Sequence, residues 1–410
     1  MLECLNALVR EEEFIAFVQD HLDDDPIRLL LQQERYPGVD MRRVAQQIEG
    51  HRQASTKWPT LAGCGHVLYP PKLNREQSSS EATARMKVEF LREAISGTGR
   101  VTAADLTGGM GIDSMALASL ATHVDYVEHD EELCRLMEHN CMALGIGNIS
   151  IHCGDSIEWL DRCGQQYDII FADPARRDSH GRKVAAFEDC TPNIIEHREL
   201  IANRCKWLVV KASPMIDIDM GMSQMGNVSA VHVVAVKGEC KEVVFVCRPN
   251  TTWEKGEAVI YAHNIGTTSG DWHHPGFRRS EEAAAKVSLC EELQQYIYEP
   301  DAALMKSGPY KLLCQGGRLE KLDRNSHLYT SDELMEWSGR VFHVISEVAL
   351  SRKAIADLIP GGRAHVVVRN YPAEASELQK RLGLKEGGEV FVVATTVRGE
   401  RKGIVCRSVV

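Results

Sequence analysis

Between residues 101 and 247, short apolar runs alternate with longer stretches whose apolar residues recur at helical spacing. VTAADL, VDYVEH, ISIHC, YDIIFAD and WLVVKA read as strands, with IDSMALASLA, EELCRLMEHNCMAL, SIEWLDRC and IEHRELIANRC as the helices among them. PMIDIDMGMSQM adds a helix, and VSAVHVVAV and EVVFVCR add two strands joined only by Lys237–Lys241. Strands that alternate with helices predict a parallel sheet covered on both faces. The last strand, reached by so tight a connection, should run antiparallel to its neighbour.

The flanks are patterned differently. FIAFVQDHL, PIRLLLQQ and MRRVAQQI predict helices within residues 1–50, with Asp25-Pro26 as a start signal and Tyr36-Pro37-Gly38 as a break. Residues 51–80 lack a period and contain Pro59, Gly63, Gly65, Pro70 and Pro71, which predicts an irregular segment. Ser79 or Ser80 then caps a helix at EATARMKVEFL. Beyond Pro249, EAVIYAH reads as a strand and SEEAAAKVSLCEELQQYI as a helix. The tail is α+β, through VFHVISEVAL, RKAIADLI, AHVVVRNY, ASELQKRL, EVFVVATTV and KGIVCRSV. The predicted division is 1–97 (helical), 98–250 (α/β), 251–335 (accessory) and 336–410 (α+β).

Composition narrows the class. With 44% hydrophobic and 26% charged residues the chain reads as a soluble globular protein. No apolar run approaches the roughly 20 residues of a bilayer span. MLECLNALVREEEF carries three consecutive acids where a secretory leader needs basic and apolar residues, so a cytoplasmic location is expected, with no membrane partner. Thirteen cysteines never fall at CxxC spacing, which predicts free, buried thiols and no metal site. The net charge of −11 argues against a basic coat for nucleic acid. Its distribution is uneven: residues 1–50 hold 5 Lys and Arg against 11 Asp and Glu, residues 51–100 hold 8 against 4, and residues 336–410 hold 12 against 8. Two mildly basic segments thus bracket an acidic remainder, ordinary surface variation being the alternative reading.

The run DLTGGMGID, from Asp105 through Thr107, Gly108, Gly109 and Gly111 to Asp113, directly follows the first strand and opens a helix. Glycines there let the backbone turn tightly and approach a ligand. Dinucleotide-binding turns share this geometry with a G-x-G-x-x-G spacing, which this run does not have. An acid at Asp105 would repel a pyrophosphate and suits the ammonium of a methionine moiety, which shifts the expected cofactor to S-adenosylmethionine. Glu128, 23 residues further on at the end of the second strand, is placed to accept hydrogen bonds from ribose hydroxyls. Helix capping is the alternative there, for which Asp130 is better placed. Asp155 and Ser156, after the third strand, are placed to meet an adenine amine, to cap a helix, or both. The fourth strand ends in FADPARR. Asp173 and the carbonyl of Pro174 can accept two hydrogen bonds from a planar amine and turn its lone pair towards a methyl donor. A proline-terminated strand with an acid in a turn is the bland alternative. Arg176 and Arg177 could hold a substrate phosphate or be solvated loop residues. Gln77, Ser78, Ser79 and Ser80 could fold over the methionine end of the cofactor, or simply cap a helix.

These residues resemble class I S-adenosylmethionine-dependent methyltransferases, whose sheet has the same strand order. YPPKLNREQSSSEATARMK, DPARR, VKASPMIDID, VKGECKEVVF, YIYEPDAALMKSG and VRNYP with EVFVVATT are similar to a bacterial group with a ferredoxin-like and then a C-terminal THUMP-like domain. The expected fold class is therefore α/β, a Rossmann-like seven-stranded methyltransferase sheet with an N-terminal helical region and C-terminal α+β domains. The turn also resembles that of bacterial guanine-N2 ribosomal RNA methyltransferases. The resemblance implies an RNA substrate, tRNA or rRNA, methylated at an exocyclic nitrogen. Related amino-methyltransferases place an aromatic ring after the prolines to stack on a flipped base; Ala175 and Arg176 stand there instead, and an arginine plane can also stack on a base. The arginine is also similar to enzymes that methylate C5 of uridine through a cysteine, for which Cys190 is the nearest candidate, with chance placement the alternative. Competing readings are a protein or small-molecule methyltransferase, a non-catalytic RNA-binding protein, and an oxidoreductase, the last discouraged by Asp105 and the glycine spacing.

Overall fold

The computed structural model describes residues 2–95, 100–176, 187–251, 258–268 and 270–409. The seven apolar runs form β1 (Thr102–Asp105), β2 (His123–Glu128), β3 (Ile149–Cys153), β4 (Tyr167–Ala172), β5 (Cys205–Ala212), β6 (Val228–Val236) and β7 (Glu239–Cys247). The chain divides into two compact units, residues 1–228 with 244–252, and residues 229–243 with 253–410.

In the first unit the strand order is β7-β5-β4-β1-β2-β3. Strand β1 runs parallel to β2 and β4, β2 to β3, and β4 to β5. From β1 the chain moves outward to β2 and β3, then returns to β4 on the other side. The carboxyl ends of β1 and β4 therefore flank a topological switch point, where open α/β sheets bind ligands. Ala103, Val124, Ile169 and Val244 are fully buried, and with Phe171, Val209 and the helical Leu91 and Leu117 they form the core. Cover on both faces explains why these strands are unbroken apolar runs.

Residues 51–80 are partly helical, with 63–71 the longest stretch outside a helix. One helix runs Met41–Lys57, and short helices follow at Pro59–Ala62 and Lys72–Gln77. Pro59 and Pro71 stand at helix starts, where a missing N–H costs nothing, and so they begin helices. The helical period is hidden because few of the buried positions are large and apolar: Ala45, Ile48, Gly50 and Ala54 face inward between polar residues. Ser80 caps the helix Glu81–Ala94 by accepting from Thr83 N, as expected.

The β6–β7 hairpin has its two-residue turn in the second unit, with Lys237 at φ 51 and Gly238 at φ 78. Two left-handed residues in succession match the right-handed twist of antiparallel strands. Strand β8 (Val259–Thr267), the strand expected at EAVIYAH, pairs in parallel with β6, and β9 (Gly270–His273) pairs antiparallel with β8, so the sheet has two strands beyond the seven expected of it. The expected helix over SEEAAAKVSLCEELQQYI holds only for Arg279–Ala284. Beyond it, backbone pairing wins over helix propensity: Lys321 N donates to Ser288 O, Cys290 N to Lys321 O, and Cys290 is buried.

A separate seven-stranded sheet is built from β10 (Tyr296–Pro300), β11 (Glu320–Lys321), β12 (Tyr329–Ser331), β13 (Gly339–Val348), β14 (His365–Val368), β15 (Val390–Val397) and β16 (Glu400–Ser408). Its order is β11-β12-β10-β13-β16-β15-β14, with only β14–β15 parallel among the described pairs. Helices Arg352–Ala356 and Ala375–Leu382 supply Ile355, Leu378 and Leu382 as buried apolar residues.

Candidate functional site

The glycine bend leaves β1 at the switch point. Leu106 N still donates to Phe171 O of β4 (3.0 Å), then Gly108 N crosses to Val127 O of β2 (2.9 Å). Gly109 and Gly111 adopt φ 54 and φ 83, which side chains rarely tolerate. A Cβ at Gly108 would lie 2.3 Å from the Tyr126 ring, and one at Gly111 would lie 2.2 Å from Met137 Sδ. Tyr126 closes the packing by donating its hydroxyl to Gly109 O (2.7 Å). The bend thus presents bare backbone and has no space for side chains on its inner face.

Asp105 lies beneath this bend rather than at its mouth. It is 1% exposed, and its carboxylate accepts from Thr107 N (2.9 Å), Thr107 Oγ1 (3.3 Å) and Ser114 Oγ (2.5 Å). Burial pushes its pKa up to about 7 against the pull of those donors. A folded-state pKa above the unfolded value means the folded form binds the proton more tightly. Stability from this group is therefore complete below about pH 4 and is lost as pH rises through about 7. Asp105→Asn keeps the shape without the charge. It should match the wild type in urea unfolding at pH 3.5 and exceed it at pH 8 by at most about 4 kcal/mol; parallel stability profiles would show that Asp105 stays ionised throughout.

Glu128 is 8% exposed at the end of β2 and ties the bend down. Its Oε2 accepts from Gly109 N (2.8 Å), and its Oε1 from His129 N (2.9 Å) and Asp130 N (3.0 Å), with His129 Nδ1 also at 2.8 Å. A carboxylate oxygen accepts two bonds, so Oε2 retains one acceptor position among the described contacts. Asp130 caps the next helix by accepting from Glu132 N and Leu133 N. Asp155 likewise caps Ser156–Cys163, through its Oδ1 alone among the described contacts, and Ser156 is buried.

Asp173 is joined to the bend by Thr107, whose Oγ1 accepts from Asp173 N at 2.6 Å. One hydroxyl thus bridges the ends of β1 and β4. The Asp173 carboxylate is one-third exposed and pairs with Lys211 at the end of β5. Pro174 is buried, and Ala175 and Arg176 pair through their backbones with Thr191 and Cys190. The side chain of Arg176 and all of Arg177 lie outside the described residues.

The helix-cap reading of the serine run holds at Ser80, and the neighbouring serines contact the glycine bend and the helix it opens. Ser80 caps its helix, while Ser79 Oγ donates to Asp113 Oδ2 (2.6 Å) and Ser78 Oγ lies 3.8 Å from Met110 Sδ. Lys87, 3% exposed, pairs with Asp113 at 3.1 Å and reaches Ser79 Oγ at 3.2 Å. Burial raises the Asp113 pKa, but the ammonium groups of Lys87 and Lys211 and the Ser79 hydroxyl outweigh it and hold it below the usual range. Trp58 donates its indole N–H to Ser79 O (2.7 Å), and Met110 and Ile112 of the bend pack with Trp58 and Tyr69 in one apolar cluster. The segment around Trp58 and Tyr69 therefore packs against the glycine bend. Lys87 and Lys211 are the residues the sequence reading missed. Lys211 had a signal, a lone charge ending the apolar strand WLVVKA; Lys87 sits in an amphipathic helix and had none.

The chain is similar over 98% of its length to the crystal structure of a protein from Porphyromonas gingivalis W83 assigned as a methyltransferase, at 29% identity, a TM-score of 0.84 and 98% coverage of that chain. Together with the matches that follow, this likeness supports an S-adenosylmethionine-dependent methyltransferase. Family models match a ferredoxin-like domain at residues 296–337 and a THUMP-like domain at residues 339–408. An uncharacterized RNA methyltransferase of Thermosynechococcus vestitus is 30% identical over 115 residues, 28% of this chain, so the match spans about a quarter (26%) of that relative. Part of the methyltransferase also resembles the SAM-dependent methyltransferase from Agrobacterium tumefaciens, at 20% identity over 42% of this chain and 63% of that one, with a TM-score of 0.33. Among the described residues no helix is long and apolar enough to cross a membrane, and no group of three His, Cys, Asp or Glu is placed to hold a metal ion.

Proposed function

We propose that this methyltransferase modifies RNA, transferring the methyl group to an exocyclic nitrogen of a base, with guanine N2 favoured and tRNA or rRNA as the substrate. The observation that carries the reading is Asp173-Pro174 at the carboxyl end of β4, one hydrogen bond through Thr107 from the glycine bend. The THUMP-like match and the RNA methyltransferase relative support RNA over a small molecule.

The bend fits the family's cofactor because Gly109, at φ 54, carries no side chain and has open space beside it, while Gly108 and Gly111 pack closely on Tyr126 and Met137. S-adenosylmethionine, when bound, supplies a methyl group activated on a sulfonium sulfur. Glu128, through the open position on Oε2, receives a ribose hydroxyl. Asp155 has its Oδ2 for the adenine amine while Oδ1 caps the helix, and Ser156 backs it. Gly108, Gly109 and Gly111 let the donor approach the backbone. Asp105 and Asp113 act from below, one bracing Thr107 and the other fixing Ser79 and Lys87. The Asp173 carboxylate and Pro174 carbonyl accept the two N–H groups of the base amine, so that its lone pair faces the donor. Arg176 is assigned to substrate, on a phosphate or a base plane. The four-part division at residues 97, 250 and 335 is kept with this reading.

Incubation with methyl-labelled S-adenosylmethionine and total RNA from a strain lacking the gene, followed by digestion to nucleosides, should give label in N2-methylguanosine. Label in protein and none in RNA would replace this reading with a protein methyltransferase.

A further inference from the structure

Two thiols meet beside the carboxyl end of β2. Cys134, in the first turn of the helix Glu131–Leu144, is 4% exposed and donates to Glu128 O at 3.3 Å. Cys153 ends β3, an edge strand of the sheet, and its Sγ lies 4.0 Å from His129 O. The two sulfurs therefore sit on consecutive peptide carbonyls, within hydrogen-bond reach of each other. Register explains the meeting. Cys153 stands opposite Glu128 in the β2–β3 pairing, and the helix that Asp130 caps brings Cys134 back to the same strand end.

The pair is set apart from the other cysteines by access. Cys153 is the one exposed thiol among the described residues. Cys205 and Cys247 also approach one another, but each is 2% exposed and out of reach of a dissolved oxidant. Burial and the neighbouring Cys153 push the Cys134 thiol up to about 12, so it stays protonated while Cys153 meets solvent. An accessible cysteine poised next to a second one is the arrangement in which oxidation of the first is resolved by the other.

The backbone they touch carries the consequence. Glu128 O accepts from both Cys134 Sγ and Gly154 N (2.9 Å), so the pair braces the strand end that bears the Glu128 carboxylate. Cys153 is also only two residues ahead of Asp155. A covalent S–S bond is shorter than any contact between separate thiols. Its formation draws both sulfurs off their carbonyls and shifts the ends of β2 and β3.

We propose that Cys153 and Cys134 form a reversible oxidative modification site, at which a dissolved peroxide joins them as a disulfide that distorts the Glu128–Asp155 edge and weakens donor binding. The proposal rests on the assignment of Glu128 and Asp155 to the donor. The Cys153 thiolate attacks one peroxide oxygen and the O–O bond breaks. Cys153 becomes a sulfenic acid, and the departing hydroxide takes up the thiol's proton as water. The Cys134 sulfur then attacks the Cys153 sulfur: the S–S bond forms, the S–O bond breaks, and the hydroxyl leaves with the Cys134 proton as a second water. Cys153 no longer carries a thiolate at that stage, which removes part of the push on Cys134. Two thiols lose two electrons, and one peroxide is reduced to two waters. A dithiol reverses the bond by exchange.

The test treats the full-length protein with hydrogen peroxide, maps its peptides by mass spectrometry without reduction, and titrates oxidised and re-reduced protein with S-adenosylmethionine by calorimetry. The expected product is a Cys134–Cys153 cross-linked peptide short of two hydrogens. Donor affinity should fall about tenfold or more, the worth of roughly one hydrogen bond, and return with dithiothreitol. Cys153→Ser should bind the donor like the reduced wild type and keep that affinity under peroxide. Cys134→Ser should stop at the sulfenic acid, trapped on Cys153 by dimedone. No cross-link, a cross-link between other cysteines, or a Cys134–Cys153 cross-link that leaves donor affinity unchanged overturns the proposal. If the cross-link lowers donor affinity while Glu128→Ala does not, the modification site stands and the assignment of Glu128 fails.

Discussion

Asp173→Ala is expected to slow methyl transfer by about 10²–10³-fold while S-adenosylmethionine binds as tightly as before. The separation follows from how the residue is held. Its backbone N–H, which alanine keeps, donates to Thr107 Oγ1 and so ties β4 to the glycine bend. Its side chain touches no part of the bend among the described contacts and pairs with Lys211 instead. Removal of the carboxylate therefore strips one of the two acceptors that orient the amine and leaves the donor pocket in place. Single-turnover transfer measured beside donor titration decides the matter. An unchanged rate removes Asp173 from the reaction. A parallel loss of donor affinity would move it into the donor site.

Gly108→Ala should be the most damaging substitution in the bend, costing about 3 kcal/mol of stability and most of the donor affinity. The added methyl meets the Tyr126 ring at 2.3 Å, and that ring has nowhere to go: it is fully buried and held by its hydroxyl on Gly109 O. Gly111→Ala meets Met137 Sδ at 2.2 Å, but a methionine side chain can swing aside. Its cost is chiefly the left-handed backbone at φ 83, about 1–2 kcal/mol. Thermal melts should rank wild type above Gly111→Ala above Gly108→Ala. Equal melting of Gly108→Ala and wild type would mean that the Tyr126 contact is looser than the geometry demands.

The sheet was legible because its strands are covered on both faces, so β1 to β7 leave seven apolar runs in the sequence. The glycine bend was legible because left-handed backbone at Gly109 and Gly111 requires that residue type. What failed to show has physical causes as well. Pro59 and Pro71 read as breakers because a proline looks the same whether it ends a structure or starts a helix. The apolar spacing of Val287, Leu289, Cys290 and Leu293 suits a helix, and only pairing with Lys321, distant in sequence, draws that segment out straight. Asp105 was legible as an acid at the strand end, but its direction was not. Ser114, nine residues later on the helix, decides that it points under the bend. The pairs Lys87–Asp113 and Lys211–Asp173 depend on tertiary approach, which no local pattern records.

The most direct measurement is calorimetric titration of the purified protein with S-adenosylmethionine, NAD and, in parallel, the Glu128→Ala variant. A bare-backbone bend pinned to a buried carboxylate predicts one S-adenosylmethionine per chain, a weakening of about tenfold or more in Glu128→Ala, and no heat from NAD. Saturable NAD binding with no response to S-adenosylmethionine would contradict it.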